Sequence, residues 1–109
     1  MIRVKNHPFF IADIPIKKFN SRLYETMFIY EHSGSKKGIQ PDHAKKLARI
    51  LDRLDASITV QDMSLPGYKL HQLSGNEKEI WSVWVNGNYR VTFFFENGDA
   101  FIVDYRDYH

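Results

Sequence analysis

The sequence predicts an α+β fold in which two N-terminal helices pack on one face of a mainly antiparallel, twisted sheet of four to five strands. From residue 68 onward, short apolar and aromatic segments follow one another. The pairs Asn86-Gly87 and Asn97-Gly98 separate them. An Asn-Gly pair between β-rich segments favours a two-residue hairpin turn, because both central residues need a positive φ. We therefore expect antiparallel hairpins in this part of the chain.

Two earlier segments have the spacing of amphipathic helices. The first is expected from Ser21, a suitable N-cap, to about Glu31, and the second begins near Pro41 and Asp42, which suit a first turn. Apolar residues recur at helical spacing in both segments. They are Leu23, Met27, Phe28 and Tyr30 in the first, and Ala44, Leu47, Ile50, Leu51 and Leu54 in the second.

Length and composition indicate a single domain over residues 1–109, with 43% hydrophobic and 15% aromatic residues to form one core. Residues 1–20 contain Pro8 and Pro15 and are predicted to form an extended arm with a strand near 14–19. There are no cysteines, so disulfides and thiolate metal sites are excluded. The chain shows neither a signal peptide nor a membrane-spanning stretch, and we expect a cytoplasmic protein without a membrane partner.

The charge distribution is slightly basic. The formal net charge is +2 and the isoelectric point is about 8.9. Lysines occur in the pairs Lys17-Lys18, Lys36-Lys37 and Lys45-Lys46. A solvated helix or loop face explains each pair by itself, although together they also suit a polyanionic partner.

Strand register predicts which side chains share a face. If Asn86-Gly87 is a two-residue turn, Val83 lies opposite Arg90, while Trp84 joins the bulkier, helix-facing set. The same count across the second turn places Tyr105 opposite Arg90. Arg90 is thus expected on the face that the helices leave open.

The preceding segment adds two cationic side chains to this face. In a strand from residue 68 to residue 73, Lys69 and His71 alternate with core-facing residues and join Arg90. The last strand continues past Tyr105, so Asp107, Tyr108 and His109 are expected to end near the same patch.

Such a patch has the groups needed for metal-independent cleavage of RNA. A general base takes the proton of the ribose 2′-OH, the oxygen attacks the adjacent phosphorus, and an acid protonates the leaving 5′ oxygen. Histidine suits either proton transfer near neutral pH, and one positioned group contributes roughly a hundredfold to ten-thousandfold. Arginine can hold two oxygens of the phosphorane, and tyrosine can stack a base. DNA lacks the 2′-OH nucleophile.

Simpler interpretations of the same residues remain open. His71 can be structural or merely exposed, Arg90 can pair with Asp104 or Asp107, and His109 can be frayed. No cofactor or metal is expected, because the remaining histidines have no ligand spacing. These are His7, His32 and His43. A Gly-x-Ser-x-Gly nucleophile elbow is also absent from the sequence.

Several linked motifs, in order, resemble the HigB toxins of the RelE/ParE superfamily over roughly residues 38–109. The motifs are Tyr68-Lys69-Leu70-His71-Gln72-Leu73-Ser74-Gly75, Trp81-Ser82-Val83, Asn88-Tyr89-Arg90-Val91-Thr92, Asn97-Gly98-Asp99-Ala100 and Asp107-Tyr108-His109. The resemblance implies a small RelE-like fold and the toxin of a type II toxin–antitoxin system. Such a toxin enters the ribosomal A site and cuts messenger RNA during translation.

Carried across by position, the resemblance implies roles for individual residues. The implied catalytic residues are His71, Arg90, Asp107, Tyr108 and His109, and the implied substrate contacts are Lys69, Asn88 and Tyr105. The implied partners are the 30S A site, messenger RNA and a HigA-like antitoxin with a helix-turn-helix. The toxin–antitoxin complex would contact operator DNA only through the antitoxin.

The chain departs from the family pattern at Ser74, where related toxins often place a lysine, and in its longer first twenty residues. Two alternatives therefore stay open. One is a growth-inhibitory or regulatory binding protein on the same fold that does not cleave RNA. The other is a gyrase-directed, ParE-like toxin, which would have no evident need of His71, Arg90 and His109.

Overall fold

The computed structural model describes residues 22–108, which form two α-helices and a four-stranded antiparallel sheet. The helices are α1, Arg22–Ser33, and α2, Ala44–Ala56. The strands, in their order across the sheet, are β1, His71–Gln72; β2, Ile80–Asn86; β3, Tyr89–Glu96; and β4, Asp99–Asp107. The predicted α+β class is confirmed, and the predicted arm over residues 1–20 lies outside the described residues.

Helix α1 buries a narrow stripe. Leu23 and Met27 are buried as predicted, but Phe28 remains 45% exposed. The helix continues beyond the predicted end at Glu31 to Ser33, whose hydroxyl donates to the Ile29 carbonyl. The predicted N-cap, Ser21, lies outside the described residues.

Helix α2 supplies most of the helical side of the core. All five residues of its predicted stripe are buried, with Leu47 and Ile50 at 0% exposure. The predicted first turn is a separate 3₁₀ turn, Pro41–His43, which leads directly into the α-helix. The last turn is closed by Ser57, whose hydroxyl donates to the Arg53 carbonyl.

The helices pack on the face of the sheet that carries its aliphatic and aromatic residues, which we call the inner face. Its members include Val83, Val91, Phe93 and Val103, each at most 1% exposed. In β3 these residues alternate with Arg90 and Thr92, which therefore point to the opposite, outer face.

The first hairpin differs from its prediction by one residue. The turn is formed by Gly87 and Asn88, between Asn86 and Tyr89, and a β-bulge precedes it between Trp84 and Asn86. The expected pairing of Val83 with Arg90 is therefore wrong, and Trp84 lies opposite Arg90. Because one inserted residue reverses the facing of a strand relative to its partner, Val83 is on the inner face and Trp84 on the outer face.

The second hairpin turns at Asn97 and Gly98, as predicted, with φ values of 53° and 80°. A bulge then shifts β4, where Ile102 has a φ of 54°. The expected pairing of Tyr105 with Arg90 is consequently wrong. Arg106 lies opposite Arg90, while Tyr105 lies opposite Val91 and shares the inner face.

The strand predicted over residues 68–73 is reduced to His71–Gln72. Lys69 has a φ of 51°, in the left-handed region that a strand does not contain, so simple alternation does not apply to it. His71 pairs with Ser82, which alternates with the inner-face Val83. The prediction that His71 shares a face with Arg90 is therefore confirmed.

The centre of the outer face is formed by two small side chains. Ser82 and Thr92 pair across β2 and β3, and both are 0% exposed. Neither hydroxyl has a hydrogen-bond partner within the part of the chain that the structure describes. An unpaired buried hydroxyl destabilises a fold, so these two positions lower the stability of the sheet.

We therefore expect Thr92→Val to raise the free energy of unfolding by about 1 kcal/mol, because it removes the unpaired hydroxyl and keeps the shape. Urea denaturation measures this change. Thr92→Ser is the matched control, since it keeps the hydroxyl but removes a methyl group and should cost about 0.8 kcal/mol. A destabilised Thr92→Val variant would show that the hydroxyl has a partner after all.

Candidate functional site

His71 is held in a defined tautomer by the chain just before it. Its Nδ1 lies 2.9 Å from the Lys69 carbonyl, and a carbonyl only accepts. Nδ1 must therefore carry a proton, which leaves Nε2 to accept or release one on an exposed side chain. The left-handed backbone of Lys69 positions this carbonyl, and such a conformation in a non-glycine residue costs on the order of 1–3 kcal/mol.

Arg90 has no aspartate partner among residues 22–108. Its Nη1 donates to the Gly87 carbonyl and to the Tyr89 carbonyl, each at 2.9 Å. These bonds tie the guanidinium to the turn between β2 and β3. The simpler interpretation of Arg90 as a partner of Asp104 or Asp107 is therefore wrong.

Trp84, opposite Arg90, contacts two lysines. The Nζ atoms of Lys46 and Lys69 each lie 4.6 Å from the centroid of the indole ring. The indole Nε1 donates to the Gly87 carbonyl at 3.0 Å. Lys69, a predicted substrate contact, is thus next to Arg90 through Trp84 rather than through strand alternation.

Arg106 crosses the outer face. Its Nη2 lies 2.8 Å from a carboxylate oxygen of Glu77, in the 3₁₀ turn Gly75–Glu77 between β1 and β2. Because β3 separates β2 from β4, this ion pair must pass over β3, which is consistent with the complete burial of Thr92. The hydrogen bond from Arg106 lowers the pKa of the Glu77 carboxyl, and the same contact raises the pKa of the guanidinium. The turn that follows Ser74 is thereby joined to β4.

The predicted C-terminal trio is divided. The Tyr108 hydroxyl accepts a hydrogen bond from Arg106 at 3.2 Å, and its amide donates to the Asn88 carbonyl at 2.8 Å. Tyr108 and Asn88 are therefore neighbours. Asp107 alternates with Tyr108 and lies on the side of Tyr105. His109 lies outside the described residues.

Tyr105 belongs to a polar network on the inner face. Its hydroxyl is 2.7 Å from His43 Nδ1, its ring stacks on Tyr89 at 5.0 Å, and the Gln40 side chain donates to the Tyr89 hydroxyl. Partial burial raises the pKa of Tyr105, and the nearby Asp107 carboxylate adds to that rise. This network fastens the start of α2 to the end of β4, just before Tyr108.

Comparison with known proteins points to one family. A family model described as the RelE-like toxin of the type II toxin–antitoxin system HigB matches residues 17–109. The chain is 33% identical over 94 residues to the endoribonuclease HigB of Proteus vulgaris, covering 86% of this chain and 99% of that protein. It is 34% identical over 72 residues to an uncharacterized protein of Haemophilus influenzae, covering 65% of this chain and 71% of the relative.

The chain belongs to the HigB-like toxin family. The predicted family is confirmed, and the name of the Proteus relative agrees with the predicted endoribonuclease activity. As a toxin of a type II system, the protein has an antitoxin as its partner. Within residues 22–108, none of the helices is long and apolar enough to cross a membrane.

Sequence analysis of this HigB-like toxin missed three features of its outer face. Trp84 was assigned to the core, Lys46 was noted only as part of a basic pair, and the ion pair of Glu77 with Arg106 was not considered. The alternation pattern alone contains no signal for the bulges that bring Trp84 and Arg106 to Arg90. In the described part of the toxin, no three His, Asp or Glu side chains are grouped as a metal site requires.

The ion pair predicts a pH dependence of the turn at residues 75–77. Glu77→Gln is expected to increase amide hydrogen exchange there at neutral pH, because the turn loses its bond to Arg106. The folded-state pKa of Glu77 is lowered, so the contribution is present above the ordinary value of 4.5 and is lost as the pH falls through the lowered value. Wild type should then approach the variant.

Glu79→Gln is the matched control, because Glu79 is exposed two residues further along the same connection. Exchange measured by NMR should be close to wild type in this variant. Equal exchange in wild type and Glu77→Gln at neutral pH would contradict a role of the ion pair in ordering the turn.

Proposed function

We propose that this toxin is a ribosome-dependent endoribonuclease that cuts messenger RNA in the A site without a metal ion. The ribose 2′-OH loses its proton to a general base and attacks the adjacent phosphorus. A general acid then protonates the leaving 5′ oxygen. His71 and His109 are the groups for these proton transfers, and Arg90 stabilises the phosphorane between them.

The observation that supports this proposal is the shared outer face of His71 and Arg90. His71 on β1 pairs with Ser82 on β2, which pairs with Thr92 on β3. Arg90 is two residues before Thr92, so His71 and Arg90 are separated by two strand spacings across the sheet and two residues along it. With strands about 4.8 Å apart and a rise of about 3.3 Å per residue, their α-carbons are separated by roughly 12 Å. Both side chains are long enough to reach one phosphodiester between them.

The hydrogen bonds of both residues suit the same chemistry. His71 presents Nε2 because the Lys69 carbonyl binds Nδ1. Arg90 is anchored through Nη1 alone. The remaining guanidinium donors suit the oxygens of a phosphorane, where charge accumulates during attack. Anchoring reduces the reorganisation needed in the transition state.

The other predicted residues take supporting roles in this proposal. Tyr108, next to Asn88, is suited to contact the base or sugar of the cleaved nucleotide. Tyr105 and Asp107 lie on the other side of β4, so we assign them to positioning the C-terminal end, through the bond of Tyr105 to His43. Arg106 brings a cation to the turn after Ser74, where related toxins often place a lysine.

The proposed partners follow from the family. They are the 30S A site and its message, and a HigA-type antitoxin with a helix-turn-helix, through which the pair would contact operator DNA. A net charge of +2 and the exposed Lys45 and Arg49 on α2 are compatible with an RNA partner.

Primer extension on a message translated with the toxin tests the proposal. Wild type is expected to produce cuts within codons and none in the naked message. His71→Ala and His109→Ala should each lower the cleavage rate by about a hundredfold or more, because each removes a proton-transfer group. Arg90→Ala should lower it by a similar factor, because it removes a donor to the phosphorane.

Lys45→Ala is the control, since Lys45 is exposed on α2 outside the proposed site. Cutting by His71→Ala at the wild-type rate would remove His71 from the mechanism. Growth arrest without any cuts would favour the non-cleaving alternative, and arrest with inhibited DNA supercoiling would favour the gyrase-directed one.

A further inference from the structure

Lys46 and Lys69 come from different parts of the chain and meet at one indole ring. Lys46 is on α2 and Lys69 precedes β1, yet both Nζ atoms lie 4.6 Å from the centroid of Trp84. The hydrogen bond from Nε1 to the Gly87 carbonyl fixes the orientation of the ring. Attraction between a cation and an aromatic face then holds each ammonium group in place.

A third cation is joined to the same point. The Gly87 carbonyl that accepts from Trp84 also accepts from Arg90 Nη1, at 2.9 Å. Trp84 and Arg90 are also direct cross-strand partners. We call Lys46, Lys69, Trp84 and Arg90 the Trp84 cluster.

The positive charge of the Trp84 cluster has no carboxylate ion-pair partner in the described part of the chain. Among residues 22–108, no carboxylate forms an ion pair with any of its three cations, whereas Arg106 pairs with Glu77 at 2.8 Å. Lys46 is half-buried, and its burial together with the neighbouring Arg49 lowers the pKa of its ammonium group. A bound anion would supply the counter-charge that these cations lack among residues 22–108.

We infer that the Trp84 cluster binds a backbone phosphate of single-stranded RNA next to the phosphodiester that is cut. This inference rests on the proposed function, since Arg90 belongs to both sites. Lys46 and Lys69 contact the phosphate oxygens as point charges. Trp84 is a positioning residue that holds both ammonium groups.

The cluster also explains the backbone of Lys69. Its left-handed conformation directs the carbonyl to His71 and allows the side chain to reach Trp84. One residue therefore connects the proton-transfer group to the phosphate site. A phosphate bound at Trp84 would fix the RNA at a set distance from His71 Nε2.

The test measures binding of a short, fluorescently labelled oligoribonucleotide with 2′-O-methyl sugars, which has no nucleophile and stays intact. Anisotropy at increasing salt gives the slope of log K against log salt. Removing contact with one phosphate reduces this slope by about 0.7 for a single strand. Lys46→Ala combined with Lys69→Ala is expected to show that loss, with affinity lower by on the order of tenfold.

Lys45→Ala is the matched control, because it removes an exposed lysine adjacent to Lys46 on the same helix. It should keep the wild-type slope. Trp84→Leu should lower the slope although both lysines remain, and Trp84→Phe should retain most of it because an aromatic face remains. If Trp84→Leu does not fold, the lysine variants alone decide the question.

A wild-type slope in the double lysine variant, or an equal loss in Lys45→Ala, would overturn the inference. Co-sedimentation with vacant ribosomes separates two sources of the phosphate. If the double variant loses ribosome binding but keeps the oligonucleotide slope, the two lysines contact structured ribosomal RNA and not a single strand. That result would overturn the inference.

Primer extension on the same variants separates this inference from the proposed function. If wild type binds the oligonucleotide through the two lysines but cuts no message, the proposed function is contradicted and the phosphate site is kept. If wild type cuts the message and the double lysine variant binds and cuts as well as wild type, the phosphate site is contradicted and the proposed function is kept.

Discussion

The strand register of the sheet, with its two β-bulges, is the constraint on which the remaining structure depends. Side chains of a strand alternate between the two faces of the sheet. One inserted residue therefore moves every later side chain of that strand to the opposite face. The bulge in β2 brings Trp84 opposite Arg90, and the bulge in β4 does the same for Arg106. Without them, Val85 and Tyr105 would lie opposite Arg90 on its two neighbouring strands, and the cations would not converge.

The two faces of the sheet have different physical tasks. The inner face is held by apolar contacts with α2 and by the polar network of His43 with Tyr105, which secures the end of β4. The outer face has small buried hydroxyls at its centre and cations around them. An unpaired buried hydroxyl lowers the stability of the fold, and the apolar packing of the inner face offsets this loss.

The cations of the outer face fall into two electrostatic groups. Arg106 is neutralised by Glu77 and orders the turn between β1 and β2. Arg90, Lys46 and Lys69 are gathered around Trp84 and its hydrogen-bonded carbonyl without a carboxylate among the described residues. The first group stabilises the protein itself. The second group is arranged for an anion from outside, which suits a toxin of a family that includes an endoribonuclease.

The sequence by itself determined the α+β class, the stripe of α2, the turn at Asn97-Gly98 and the shared face of His71 and Arg90, because these depend on local periodicity and turn chemistry. The position of Tyr105, the exposure of Trp84 and the ion pair of Arg106 were decided only by the tertiary structure. A bulge inserts one residue without a distinct local pattern, and the left-handed Lys69 has no signal in its residue type. Contacts between α2, β1 and β4 arise only when packing brings those segments together.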